Sequence, residues 1–201
     1  MKIAILGSGK VAHALGGGWT KAGHEVILGA RATSVTDPDF EITSLQEALV
    51  AGEVIVNAIT GAVALEAITS LDTAAMAGKT LLDATNAVTQ AGDLVYPNSS
   101  LAEHLQAALP AVHVVKSLNT AAIEVQADPS LVGPATVFVS GDNEAAKTEV
   151  KGLLHDLGWK DEGIIDLGGI RTARGPENYI VLFFETIGVL KSPFFNIHIT
   201  R

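Results

Sequence analysis

The chain has 201 residues, of which 48% are hydrophobic and 17% charged, a balance that excludes intrinsic disorder and suits one buried core. Its formal net charge is −9 with no basic cluster, which argues against a nucleic-acid backbone or an anionic membrane surface as partner. There is no cysteine, so disulfides, thiolate metal sites and cysteine nucleophiles are excluded together, and a reducing cytoplasmic setting is the expectation.

Taken in chain order, residues 3–6 are a short apolar run ending at a glycine, as expected of a central parallel strand buried on both faces. That run is too short for a signal peptide, because it enters a glycine turn directly. From residue 10 to 22 the apolar Val11, Leu15, Trp19 and Ala22 recur at helical spacing, and Gly23 ends the helix. Strands are expected at 25–28, 40–42, 53–59, 79–84, 111–116 and 136–140, with a short stretch at 164–167. Helices are expected at 45–50, 63–71, 101–109, 144–157 and 176–191, and residues 194–200 read as a final edge strand. No apolar run approaches the roughly 18 residues of a membrane span, since the longest, 179–190, is broken by Glu185 and Thr186.

Strands alternating with helices predict an α/β fold with a doubly wound, mostly parallel sheet of Rossmann type and a short C-terminal helix-strand extension. No linker, repeat or low-complexity tract interrupts residues 1–201, so a single dinucleotide-binding domain is expected.

The pattern Gly7-Ser8-Gly9-Lys10-Val11-Ala12 lies directly after the first strand and opens the first helix. In that context Gly7 permits the tight turn, Gly9 lets the backbone approach a pyrophosphate, and small Ala12 lets helix and strand pack closely. The helix N-terminus offers unpaired N–H groups to the phosphates. The run Gly16-Gly17-Gly18 inside this helix costs about 1 kcal/mol per glycine relative to alanine, which suggests close approach to the sheet or a ligand. NAD sites carry an Asp or Glu after the second strand, but here residues 28–34 hold none. Arg31 can instead pair with a 2′-phosphate, helped by the Thr33 and Ser34 hydroxyls, so NADP(H) is the expected cofactor.

Three loops should line the crevice at the strand ends: Ile59-Thr60-Gly61, Thr85-Asn86-Ala87 and Ser117-Leu118-Asn119-Thr120. Their polar groups suit a nicotinamide ribose and amide, or equally turns and helix caps. The histidines show no metal-ligand spacing, no Gly-x-Ser-x-Gly elbow occurs, and no residue is singled out as a catalytic acid or base. Hydride transfer between two bound cofactors requires none.

Several segments together resemble the NADP oxidoreductases that use the deazaflavin coenzyme F420. They also resemble the cytosolic domain of the six-transmembrane epithelial antigen of prostate metalloreductases. The marks are residues 7–12, Gly29-Ala30-Arg31, Asp83-Ala84-Thr85-Asn86, Val115-Lys116-Ser117-Leu118-Asn119-Thr120, Asp166-Leu167-Gly168-Gly169 and Ala173-Arg174-Gly175-Pro176-Glu177. The resemblance implies NADPH extended across the strand ends, with Ser8, Lys10 and Val11 near the pyrophosphate and Arg31 at the 2′-phosphate. It places Thr60, Asn86 and Asn119 near the nicotinamide, with coenzyme F420 or a flavin stacked on it as second substrate. The family often has prolines where Thr60 and Ala87 stand and an aromatic residue where Leu118 stands.

The expected activity is therefore hydride transfer between NADPH and a deazaflavin or flavin. The alternatives are an NADPH-dependent flavin or ferric reductase and a non-catalytic NADP(H)-binding sensor. The last helix is apolar almost all round, through Ile180, Val181, Leu182, Phe183, Phe184, Ile187, Val189 and Leu190. It is expected to be buried on more than one side, with a homodimer as the expected assembly.

Overall fold

The computed structural model of the chain describes residues 1–31 and 37–200. Its elements in chain order begin with β1 (Lys2–Leu6), α1 (Lys10–Lys21), β2 (Glu25–Ala30), β3 (Glu41–Ser44) and α2 (Leu45–Ala51). Next come β4 (Val54–Asn57), α3 (Gly61–Thr69), β5 (Thr80–Asp83), α4 (Leu101–Ala108), β6 (His113–Lys116) and α5 (Ile123–Ala127). The chain then forms β7 (Val137–Gly141), α6 (Glu144–Asp156), β8 (Ile164–Gly168) and α7 (Arg174–Leu190).

The strands form one sheet in the order β3-β2-β1-β4-β5-β6-β7-β8. Every neighbouring pair is parallel except β6 and β7. The chain winds outward from β1 to β3, returns to the far side of β1 at β4, and winds outward the other way. That reversal places a topological switch point between β1 and β4, where open α/β sheets bind ligands. The sheet is covered on both faces. Ile3, Ile5, Leu15, Trp19, Val56, Val139 and Leu154 belong to one core, and Ala4, Leu6, Ile55, Ile68, Leu81, Leu105 and Val114 to the other. Alternate residues of β1 enter opposite cores, which is why its sequence is apolar throughout.

Most expected elements form, with shifted ends. Strand β4 stops at Asn57 because the Asn57 side-chain carbonyl accepts the Ile59 N–H at 3.1 Å and turns the chain away from the ladder. Helix α5, absent from the sequence reading, packs against α1.

Two expectations fail. Residues 194–200 form no strand. The segment bonds to Thr136, which donates to the Ile197 carbonyl at 2.8 Å and accepts from Ile199 at 3.1 Å, and Phe195 packs on Phe183 with ring centroids 5.0 Å apart, but two bonds to one residue do not extend into a ladder. Within one chain, α7 is also not buried on several sides. Ile180 and Phe183 pack onto Ala121, Ala122 and Val125, whereas Val181, Leu182, Phe184, Val189 and Leu190 are exposed.

Candidate functional site

The turn after β1 sits at the switch point. Gly7 has φ +126°, and a Cβ there would lie 2.7 Å from the Ala58 carbonyl oxygen, so only glycine fits. Its N–H donates to Gly29 O at 2.8 Å, fastening the turn to β2. Gly9 is the N-cap of α1, and a Cβ on it would meet nothing within 4 Å. The position is open, as close approach of a ligand to the backbone requires. Ser8 and Lys10 are exposed and Val11 is half-buried, while Ala12 is fully buried and acts through packing.

Of the helices, α1, α3, α5 and α7 have no side-chain cap. Ser44, Ser100 and Asn143 cap α2, α4 and α6 with their side chains. Helices α1 and α3, which follow the two strands at the switch point, have no side-chain cap. Their first N–H groups are thereby left available to an anion.

Gly7, Ser8, Gly9, Arg31 and Thr60 line one cleft of about 510 Å³. Its far wall is a face of α3 made by Val63, Glu66, Ala67 and the capping Ser70. No motif in the sequence marks that wall, although the i, i+3, i+4, i+7 spacing places these residues on one side of a helix. Arg31 is exposed at the end of β2 and makes no ion pair among the described residues. Thr33 and Ser34 lie outside the described residues. Two glycines of the run serve packing: a Cβ at Gly16 would press on Phe40 and Val26, and one at Gly18 would collide with Leu157, whereas one at Gly17 would meet nothing within 4 Å. A second cavity of about 380 Å³, lined by Trp159, Lys160 and His198 among others, contains none of the expected site residues.

Asn86 and Asn119 do not line the cleft; they bind each other. Asn86 Nδ2 donates to the Asn119 carbonyl at 2.7 Å, and Asn119 Nδ2 donates to Asn86 Oδ1 at 2.8 Å. Gly61 brings this pair next to Thr60, because any Cβ at Gly61 would collide with the Asn86 carbonyl. Leu118 has φ 67°, and Asn119 N–H donates to Ser117 O at 2.9 Å, closing a γ-turn. Such a conformation costs about 1–3 kcal/mol and persists only where the surroundings over-determine it. Here Ser117 Oγ donates to Phe138 O at 2.8 Å and the Leu118 side chain is 1% exposed in the core. Leu118 therefore presents no surface to a ligand; the turn aims Asn119.

Beneath these loops runs a buried polar row. Asn57, Asp83, Lys116 and Ser140 are in register on neighbouring strands at the crevice end of the sheet. Asp83 Oδ1 accepts from Asn57 Nδ2 at 2.9 Å and from the Thr85 hydroxyl at 2.8 Å. Lys116 Nζ lies 2.8 Å from Asp83 Oδ2 and 3.0 Å from Glu177 Oε1, and also donates to the Thr85 carbonyl. Burial works against the Lys116 ammonium, but the two carboxylates outweigh it and hold its pKa above the ordinary lysine value. Glu177 in turn accepts the Leu101 and Ala102 N–H groups at the start of α4, at 3.0 and 3.3 Å. The loop carrying Asn86 is thus fixed to β6, α4 and α7. Composition and spacing do not signal this row, because a lysine at a strand end reads as a solvated charge.

Among the described residues no group of three or more metal-ligating side chains converges, and no helix is long and apolar enough to cross a membrane.

Residues 2–87 match the family described as NADP oxidoreductase, coenzyme F420-dependent. Over their whole lengths, this chain and a candidate F420-dependent NADP reductase of Arthrobacter sp. FB24 share 36% identity, with a TM-score of 0.92. A hypothetical protein of Sinorhizobium meliloti is 26% identical over 88% of both chains, with a TM-score of 0.71. A reductive aminase of Aspergillus terreus, solved with NADPH4, is 19% identical, covers 94% of this chain and 62% of its own, and has a TM-score of 0.69. That last likeness is one of fold alone.

Proposed function

The chain belongs to the coenzyme F420-dependent NADP oxidoreductases, and from that premise we propose that it passes hydride between NADPH and the deazaflavin coenzyme F420. The carrying observation is the cleft at the switch point. It joins an open Gly9, two uncapped helix N-termini and an exposed Arg31, with no carboxylate at the end of β2. Those features fit a dinucleotide bearing a 2′-phosphate.

In this reading the backbone of residues 7–11 holds the pyrophosphate, with Ser8 and Lys10 at its side. Arg31 pairs with the 2′-phosphate, joined by the hydroxyls of Thr33 and Ser34. The α3 wall of Val63 and Ala67 packs against the adenosine end. Thr60 and the Asn86–Asn119 pair form a rigid edge for the nicotinamide ribose and amide, and the polar row below keeps that edge from shifting. The bound dinucleotide and the acceptor supply the redox chemistry: two electrons leave as hydride, and the acceptor takes a further proton from solvent. The protein's part is to bind, orient and exclude water, so no side chain is assigned as acid or base.

We also read the exposed apolar face of α7 as the contact with a second copy of the chain. Val189 is 80% and Leu182 60% exposed, more than a lone surface helix needs.

Anaerobic NADPH oxidation with coenzyme F420, FMN, FAD and ferric chelate offered in parallel tests the proposal. Turnover of the deazaflavin supports it. Turnover of flavin or iron alone replaces it with a flavin or ferric reductase, and tight NADPH binding with no turnover replaces it with a sensor.

A further inference from the structure

The cleft at the switch point carries a charge that phosphates do not need. Among the described residues that line it, Arg31 is the only base and Glu66, on the cleft face of α3, the only acid. Glu66 is exposed and makes no ion pair among the described residues. A carboxylate repels a pyrophosphate and a 2′-phosphate, so it works against such a ligand unless it meets one of the ligand's donors. The neighbouring wall is equally unsuited to phosphate. Helix α2, whose first residue Leu45 lines the cleft, has its N-terminus closed by a capping box in which Glu47 Oε2 accepts the Ser44 N–H at 2.9 Å. What suits this end of the cleft is the uncharged base.

Its surfaces match a purine. Leu45, Val63 and Ala67 offer apolar area to the ring faces. Ser70 stands one turn beyond Glu66 on the same face of the helix. Its hydroxyl proton is committed to the Ala67 carbonyl at 2.8 Å, so its oxygen is left to accept, and an ionised Glu66 can do nothing else. The α3 wall is fixed against α2, because Gln46 brackets the residue that follows the helix. Gln46 Nε2 donates to the Asp72 carbonyl at 3.2 Å, and Gln46 Oε1 accepts the Asp72 N–H at 2.8 Å. The polar side chains that α3 presents here, Glu66 and Ser70, are therefore both acceptors.

We propose that Glu66 reads the base of the dinucleotide by accepting from the exocyclic amino group of adenine. The proposal rests on the reading of this cleft as the dinucleotide site. Adenine carries an amino donor at C6. Hypoxanthine carries a carbonyl oxygen there, which cannot donate and meets the carboxylate with like polarity. Glu66 is thus a specificity-determining residue for the cofactor and takes no part in hydride transfer.

The test is the dissociation constants of NADPH and of reduced nicotinamide hypoxanthine dinucleotide phosphate, followed by nicotinamide fluorescence, for wild type, Glu66→Gln and Gly9→Ala. Wild type is expected to bind NADPH about tenfold more tightly than the hypoxanthine nucleotide, the range of one hydrogen bond to a charged acceptor in a site open to water. Glutamine keeps an acceptor and adds a donor, so Glu66→Gln should bring the two constants to within about twofold, chiefly by tightening the hypoxanthine nucleotide. The charge removed acts on both nucleotides alike, so the ratio of the two constants reports the base and not the phosphates. Equal affinities in wild type, or a preference that Glu66→Gln leaves intact, overturn the proposal while the reading of the cleft stands. If Gly9→Ala binds both nucleotides as wild type does, the dinucleotide lies outside this cleft, and the proposal falls together with that reading.

Discussion

Lys116 on β6 donates to Asp83 on β5 at 2.8 Å, and both side chains are wholly buried. These residues are register partners at the ends of their strands, and Glu177 of α7 completes the group from above. Removing one partner of such a pair leaves an uncompensated buried charge. Lys116→Met is therefore expected to lose about 3–5 kcal/mol of stability in urea unfolding at pH 7. Asp83→Asn, whose one oxygen can serve Lys116 or the Thr85 hydroxyl but not both, should also lose stability. An unfolding curve for Lys116→Met that overlays the wild type would show that the row holds nothing.

The two fingerprint glycines separate folding from binding. Gly7→Ala places a Cβ against the Ala58 carbonyl at positive φ and is expected to cost about 2–3 kcal/mol. Gly9→Ala meets no atom within 4 Å at an ordinary φ of −91°, so stability should stay within about 0.5 kcal/mol of wild type. Its methyl group projects toward the expected pyrophosphate position, and NADPH affinity should fall by about tenfold. Thermal unfolding alongside a binding titration checks both, and a Gly9→Ala protein that binds NADPH normally moves the pyrophosphate elsewhere.

Acid should loosen α7 at its start. Arg174 grips Glu103 with two bonds, Nε to Oε2 at 2.8 Å and Nη2 to Oε1 at 2.6 Å, and this pairing holds the Glu103 carboxyl below its usual range. A depressed carboxylate contributes stability above its unfolded pKa, about 4.5, and loses it as pH falls through the folded value. Glu103→Gln should thus be less stable than wild type at pH 7 and converge with it on acidification below pH 4.5. A constant gap between the two proteins, measured by urea midpoints across that interval, would mean the pair contributes nothing through its charge.

Charging the exposed face of α7 should dissociate the proposed dimer. Leu182→Glu and Val189→Glu lie on surface already accessible in one chain, so each should fold normally and run as a monomer at micromolar concentration. Light scattering that finds wild type monomeric, or both variants dimeric, removes α7 from the assembly.

The switch point was legible because it depends on local patterns. A buried strand, a glycine turn and an amphipathic helix stand within 19 residues of each other, and their order imposes the winding. The place of Arg31 directly after β2 was legible for the same reason. What escaped depends on partners far away in sequence. Hydrophobic periodicity does not reveal strand direction, so the antiparallel step from β6 to β7 was invisible. The residues Phe-Phe-Asn-Ile-His-Ile-Thr at 194–200 have strand composition, but their bonds to Thr136 extend into no ladder. Leu118 carries no mark of positive φ; only Asn119 and Ser117, fixed by other loops, force it there. Lys116 reads as a surface cation until Asp83 and Glu177 are brought beside it.

The proposed function requires direct passage of hydride from NADPH to a deazaflavin. The most direct measurement is anaerobic reaction of NADPH deuterated at the reactive C4 position with coenzyme F420, followed by mass spectrometry of the reduced product. Under the proposed function, deuterium is expected in the reduced deazaflavin from one C4 position and not the other, because the mutually bonded Asn86 and Asn119 would offer the nicotinamide one fixed edge. Deuterium lost to solvent, label delivered from both positions, or no reduction of coenzyme F420 at all would contradict it.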